Sequence, residues 1–114
     1  MALNSTALDA MLDHLDTLVT HVSAHTADPG ATGLNEVSGG SYARQSLTFA
    51  AAASGNLDSS NQPVIPVPAG TTITHLGLWS ALSGGTFYGS VDIVDETFAS
   101  VGQYTVNDLD VNLT

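Results

Sequence analysis

Short runs of β-branched and aromatic residues, separated by turn-forming residues about every ten positions, constrain the fold of this chain more than any other feature. From about residue 19 to residue 113, glycine, proline, serine and asparagine repeatedly interrupt these runs. Short strands with frequent turns are typical of sheets packed face to face. The sequence therefore predicts a mainly β fold, an antiparallel β-sandwich of about seven short strands.

The predicted strands occupy residues 19–26, 42–53, 63–68, 71–82, 86–94, 100–106 and 108–113. Prolines at positions 63, 66 and 68 lack backbone donors, so the third strand is expected at a sheet edge. The strand at 71–82 is partly apolar on both faces, which predicts a central position. Alternation along this strand places Ile73, His75, Gly77 and Trp79 on one face and Thr74, Leu76 and Leu78 on the other.

The first segment has a helical pattern instead. Its apolar residues recur at helical spacing and are Leu8, Met11, Leu12, Leu15, Leu18 and Val19. The pattern predicts an amphipathic helix over about residues 5–18, with Ser5 or Thr6 as its cap. Its apolar stripe must be covered, either by the protein's own sheet or by a neighbouring subunit. Helix and strands together are expected to form one domain over residues 1–114.

Positive charge is almost absent, and this excludes several classes of function. The chain has 11 acidic residues, one basic residue (Arg44) and no lysine, giving a formal net charge of −10. A basic patch for nucleic acid cannot be built, and an anionic membrane surface would repel the chain. Phosphate-binding loops and Schiff-base enzymes both need a lysine. We therefore expect no nucleic-acid partner and no membrane partner.

Candidate catalytic and metal-binding residues do not form a recognisable motif. His21 and His25 lie four residues apart on a predicted strand, about 13 Å from each other, and are expected on its exposed face. No Gly-x-Ser-x-Gly nucleophile motif occurs, and the chain has no cysteine. Asp92, Asp95 and Glu96 do not match the calcium-loop pattern. The sequence predicts no enzyme, no cofactor, and no catalytic or metal site.

A glycine-rich loop over residues 28–41 is the candidate contact element, since long loops in small domains are usually functional or disordered. Its candidate residues are Asp28, Pro29, Gly30, Asn35, Gly39, Gly40 and the adjoining Tyr42. Arg44 is expected to pair with Glu36 and to act as a structural clasp that holds this loop against the strand. The alternatives are an exposed Arg44 or an Arg44 that reaches an acidic neighbouring chain.

Three segments carry a resemblance to a known family. They are residues 25–45, the run Thr74-His-Leu-Gly-Leu-Trp-Ser-Ala and the run Gly84-Gly-Thr-Phe-Tyr-Gly, in this order. The chain resembles, over roughly residues 15–113, small virion proteins of tailed bacteriophages of high-GC hosts. Such proteins are often described as tail-fibre proteins, and related β-sandwich domains occur as capsid decoration proteins.

The resemblance implies a non-enzymatic virion structural protein on the particle exterior. A compact acidic chain without repeats favours a capsid decoration or stabilising protein. The alternative is a tail-fibre or tail-tip component, which could bind a receptor or glycan through Trp79, Tyr88 or Tyr104. The implied partners are the major capsid protein or tail proteins, and a homo-oligomer is expected because such proteins act in many copies.

Overall fold

The amphipathic N-terminal pattern folds into helix α1, Ser5–Leu18, as predicted. The computed structural model describes residues 2–113, so residues 1 and 114, the ends of the expected single domain, lie outside the described residues. The helix cap differs from the prediction, because the Asn4 side chain accepts a hydrogen bond from the Ala7 backbone N–H. Asn4 has an extended backbone, which suits a capping residue.

The helix buries its apolar stripe only in part. Leu12 is buried and Leu15 packs against the main core, whereas Met11 is 52% exposed. Two of its acidic side chains hold the following chain, since Asp9 accepts from the Gly55 N–H and Asp13 from the Ala52 N–H. The helix therefore covers the protein's own strands and leaves part of its apolar surface open.

Eight strands follow in the described residues, one more than the approximate number predicted. They are β1 His21–His25, β2 Gln45–Ser46, β3 Asn56–Asp58, β4 Val64–Val67, β5 Thr71–Trp79, β6 Phe87–Phe98, β7 Gly102–Thr105 and β8 Asp110–Asn112. All described pairings are antiparallel. The mainly β, antiparallel fold class with one N-terminal helix is thus confirmed.

The strands form one four-stranded sheet, in the order β2-β1-β5-β6, and two two-stranded sheets, β3-β8 and β4-β7. The central position predicted for β5 is confirmed, because it lies between β1 and β6. The proline-containing β4 pairs only with β7, which agrees with the predicted edge position. β6 is the outer strand of the larger sheet and is mostly exposed.

The main core joins the four-stranded sheet to the β4-β7 pair. It contains Val22 and Ala24 of β1, Ile65 and Val67 of β4, and Ile73, Leu76 and Leu78 of β5, together with Val19, Val37, Leu47, Val106 and Leu109. Burying each large aliphatic side chain contributes about 1.5–3 kcal/mol relative to exposure. The face of β5 that carries Trp79 packs elsewhere and belongs to the candidate site.

The predicted alternation along β5 is wrong at one residue. Ile73 shares the main core with Leu76 and Leu78, not the face of Gly77 and Trp79. The β5-β6 register shifts between Ile73 and His75. Two residue steps along β5 here correspond to four along β6, from Glu96 to Asp92, so the extra residues lie in β6.

The predicted strand at 42–53 is mostly wrong, because only Gln45–Ser46 pairs regularly, with β1. The segment then changes partners, forming an isolated bridge from Phe49 to Ser59 and another from Ala53 to Asn56. A segment that passes from one sheet to another cannot keep a long ladder with either. The short strand β3 that receives it was not predicted.

The described residues extend over 47 × 24 × 22 Å. Among them, no helix combines the length and the apolar character needed to cross a membrane.

Candidate functional site

The candidate site is centred on Arg44, which follows the glycine-rich loop just before β2. Its side chain is only 8% exposed. Nε donates to Glu36 Oε2 and Nη2 donates to Glu36 Oε1, both at 2.9 Å. This is the two-bond, planar arrangement that guanidinium and carboxylate groups favour. The structure thus brings together the two residues that the sequence paired across the loop.

Arg44 also contacts two segments that the sequence did not connect with it. Nη1 donates to the backbone oxygens of Ala81, at 3.0 Å, and Gly84, at 2.8 Å, in the β5-β6 hairpin. The guanidinium lies over the Trp79 ring, 3.6 Å from its centroid, in a cation–π contact. One side chain therefore joins the loop, the hairpin and β5, and four of its five N–H groups have acceptors within the protein.

Tyr42 completes the surroundings of Glu36. Its hydroxyl donates to Glu36 Oε2 at 2.6 Å and accepts from the Ala24 N–H at 3.1 Å. Burial disfavours the charged carboxyl, but the hydrogen bonds from Arg44 and Tyr42 outweigh it and lower the pKa of Glu36. Burial, together with the Glu36 hydrogen bond, raises the pKa of Tyr42. Glu36 is thus ionised and Tyr42 neutral at ordinary pH.

The candidate contact residues of the loop divide into two groups. Asp28, Gly30, Asn35, Gly39 and Gly40 are exposed. Pro29 and Tyr42 are not, and they support the loop from within rather than offering contact surface.

The exposed part of the loop is held by its own hydrogen bonds. Asp28 Oδ1 accepts from the Gly30 N–H, and Asn35 Nδ2 donates to the Asp28 carbonyl. Asn35 has φ of 63°, a left-handed conformation that asparagine tolerates better than most residues. Between these residues Leu34 is 61% exposed, an apolar contact candidate that the sequence prediction omitted.

A buried hydrogen-bond chain lies beneath the loop. Trp79 Nε1 donates to Ser23 Oγ at 2.9 Å, and Ser23 Oγ lies 2.6 Å from His25 Nε2. His25 Nδ1 lies 2.7 Å from the Leu34 carbonyl oxygen, which can only accept, so Nδ1 carries the proton and Nε2 accepts from Ser23. Burial is the main cause that lowers the pKa of His25 and keeps it neutral.

The expected exposed position of His25 is therefore wrong. His25 is fully buried, and His21 is half-buried on the same strand. The bridge between His25 and Glu36 brings the loop over this face of β1 and covers the histidine. Although Ser23 and His25 have the spacing of a nucleophile and its base, both are 0% exposed, so a substrate could not reach them. Their hydrogen bonds link β1 to Trp79 of β5 and to the Leu34 carbonyl in the loop.

Two glycines allow the close packing of this region. Gly77 lies against the Ser23–His25 pair, and a Cβ there would collide with Ser23 Oγ and His25 Nε2. Gly33 has φ of 83°, and a Cβ would lie 2.5 Å from Trp79 Cζ2. Phe87 meets the Trp79 ring edge-on, with centroids 5.2 Å apart. Small residues in the loop and in β5 thus leave the space that Trp79 and His25 fill.

A shallow cleft of about 420 Å³ opens beside the clasp, lined by Glu36, Tyr42, Arg44 and the exposed Leu82, among others. It does not resemble a site for an anionic ligand, because Arg44 is already bonded to the protein. The aromatic candidates for glycan binding differ in availability. Trp79 is buried, Tyr104 is partly buried against the core, and Tyr88 is 38% exposed.

Acidic side chains gather at a place that the sequence did not indicate. Within residues 2–113, carboxylate oxygens of Asp58, Asp108 and Asp110 lie within 4.8 Å of one another and are exposed. Asp58 and Asp110 face each other across the β3-β8 pair. This pairing, which is not apparent from local sequence patterns, brings Asp58 to the two acids that are already near each other in sequence.

Comparison with known proteins identifies the family. No curated protein matches the chain significantly. A family model described as Podophage GP4 fiber I protein gp80 matches residues 5–111, nearly all of the sequence. The resemblance to phage proteins described as tail-fibre proteins is thereby confirmed at the level of the family. The chain belongs to the Podophage GP4 fiber I protein gp80 family of phage structural proteins.

Proposed function

We propose that this protein is a non-enzymatic structural component of the exterior of a phage particle and that it acts through protein–protein contacts. The observation that carries the proposal is the family match over residues 5–111, to a phage fibre protein. The arrangement around Arg44 supports it, because the polar groups with catalytic character are buried or already paired within the chain. The clasped loop is then a preformed contact surface.

A fixed loop suits such a role because little conformational entropy is lost when it docks. Arg44, Glu36 and Tyr42 hold the inner side of the loop. The exposed residues Asp28, Asn35 and Leu34 are left for a neighbouring protein. We propose that several copies act together in a symmetric homo-oligomer, so that many weak contacts add up.

Two positions on the particle are candidates. The first is a fibre or another tail appendage, which is supported by the description of the family as a fibre protein. The second candidate is decoration of the capsid shell, with the major capsid protein as partner. It is favoured by the acidic sequence, which shows no internal repeat of the kind that builds an extended shaft.

Phage particles assembled without this protein distinguish between the two positions. An appendage protein is expected to leave heat and osmotic stability unchanged and to remove a projection from the tail or neck. A decoration protein is expected to lower particle stability and to remove density from the shell surface. Particles that are unchanged in stability, appearance and infectivity would contradict both positions.

A further inference from the structure

An apolar groove of about 430 Å³ lies on the side of the molecule where α1, β6 and β8 meet. Its apolar lining comes from Leu15 of α1, Leu78 of β5, Val91 of β6 and Val111 of β8. Tyr88 also lines the groove and is 38% exposed. Its lining residues come from four different elements, and none of them belongs to the clasped loop.

The groove is bordered by uncompensated negative charge. Asp110 lines the groove, and its carboxylate lies within 4.8 Å of those of Asp58 and Asp108. The chain has no lysine, and its one arginine is buried against Glu36, so neither residue type can neutralise this cluster from within the protein. A hydrogen bond with Asp58 and repulsion from both neighbouring carboxylates raise the pKa of Asp110 to about 6. The three acids thus favour a positive charge from outside.

We propose that this groove docks a segment of another virion protein that presents a large aliphatic side chain beside a lysine or arginine. The aliphatic side chain contacts Leu15, Val91 and Val111, and the basic side chain reaches the carboxylates beside Asp110. The groove supplies hydrophobic contact, whereas the acidic border selects a partner of opposite charge and rejects acidic segments. The proposal holds for either position on the particle, because it concerns the chemistry of the partner.

A second copy of this chain does not fit the groove. It has no lysine, and its only arginine is held inside its own loop. A copy would also bring a formal charge of −10 towards the cluster. A calcium ion could bind the three carboxylates, but it would leave the apolar lining uncovered. Both occupants are therefore outcomes of the test and not the proposal.

The test is an NMR titration of the full ¹⁵N-labelled chain with two matched peptides. The first is acetyl-Gly-Leu-Lys-Leu-Lys-Gly-amide, and the second has glutamate in place of both lysines. We expect the lysine peptide to shift the amide signals of Leu15, Tyr88, Val91 and Val111. The glutamate peptide is expected to bind at least about fivefold more weakly, because like charges meet at the cluster.

Two substitutions that each remove one negative charge test where the peptide binds. Asp110→Asn is expected to weaken the affinity for the lysine peptide about twofold to fivefold, which is the effect of losing one exposed ion pair. Asp95→Asn removes an exposed acid that does not line the groove and should leave the affinity unchanged. Equal affinity for both peptides, or an equal effect of both substitutions, would overturn the proposal.

The other occupants give different results in the same spectra. Calcium chloride that shifts Asp58, Asp108 and Asp110 at micromolar concentration and blocks the peptide would assign the cluster to a metal and overturn the proposal. Groove signals that shift on raising the protein concentration, without peptide, would assign the groove to a second copy and overturn it as well.

Discussion

At the scale of single residues, Arg44 joins the glycine-rich loop, the β5-β6 hairpin and the Trp79 ring through one planar group. The sequence could predict the pairing with Glu36, because the two residues are near in sequence and opposite in charge. The carbonyls of Ala81 and Gly84 could not be predicted, since any backbone oxygen can accept and only the folded hairpin brings these two within reach.

Replacing Arg44 by lysine tests the clasp. Lysine keeps the positive charge, but its single ammonium group cannot form two parallel hydrogen bonds to Glu36, reach both hairpin carbonyls and lie flat on Trp79 at the same time. We expect Arg44→Lys to lower the free energy of unfolding by about 1–3 kcal/mol. Arg44→Met should lower it by about 2–4 kcal/mol, because the half-buried Glu36 loses its partner. Urea unfolding followed by Trp79 fluorescence measures both.

The control is a double-mutant cycle with Glu36→Gln. A direct interaction predicts that the effects of Arg44→Met and Glu36→Gln are non-additive by at least about 1 kcal/mol. Additive effects, or an Arg44→Lys variant as stable as the natural chain, would show that Arg44 does not hold the loop.

Gly77 and Gly89 form a matched pair for testing the buried hydrogen-bond chain. A Cβ at Gly77 meets Ser23 and His25, whereas one at Gly89 meets nothing within 4 Å. Gly77→Ala is expected to cost about 1–3 kcal/mol of unfolding free energy through overpacking. Gly89→Ala should change it by less than about 0.5 kcal/mol. Thermal unfolding of both variants checks this, and equal losses would contradict the packing described for Gly77.

At the scale of elements, the β3-β8 pair brings Asp58 opposite Asp110 and so links stability to pH. The folded protein raises the pKa of Asp110 from 3.8 to about 6, so it favours the protonated acid. That contribution is present at low pH and is lost as the pH rises through about 6. His25 acts in the opposite direction, because its lowered pKa removes stability as the pH falls below its ordinary value of 6.5.

Asp110→Asn separates these two effects. At pH 8 the variant should be more stable than the natural chain by up to about 1 kcal/mol, since an exposed repulsion is removed. The difference in stability between the variant and the natural chain should shrink between pH 7 and pH 4. From pH 7 to pH 5 the variant should itself lose stability, because burial of His25 opposes its protonation. Urea unfolding across this range is the measurement. A difference independent of pH, or one equal to that of Asp95→Asn, would contradict the assignment to Asp110.

Local patterns predicted elements well where each element keeps one partner or one face. The period of α1 and the prolines of β4 are local signals, and both elements occur where expected. The prediction was wrong where the chain changes partner, as at 42–53, and for Ile73, which packs in the main core with Leu76 and Leu78. The loop covers His25 only in the folded protein, so the pattern of residues along β1 could not predict that His25 is buried.

At the scale of the whole molecule, the formal charge of −10 opposes association of like copies. The proposed homo-oligomer should therefore become more stable as salt screens the repulsion, with a Debye length of about 10 Å at 0.1 M and 3 Å at 1 M. Sedimentation velocity at low and high sodium chloride checks this. Association that weakens with salt would instead indicate that ion pairs hold the copies together.

Cryo-electron microscopy of purified phage particles tests whether the protein has a structural role on the particle exterior. We expect repeated external density that fits a body of 47 × 24 × 22 Å, with the clasped loop or the α1-β6-β8 groove against a neighbouring protein. Particles that contain none of this protein, as judged by microscopy and mass spectrometry of the same preparation, would contradict it.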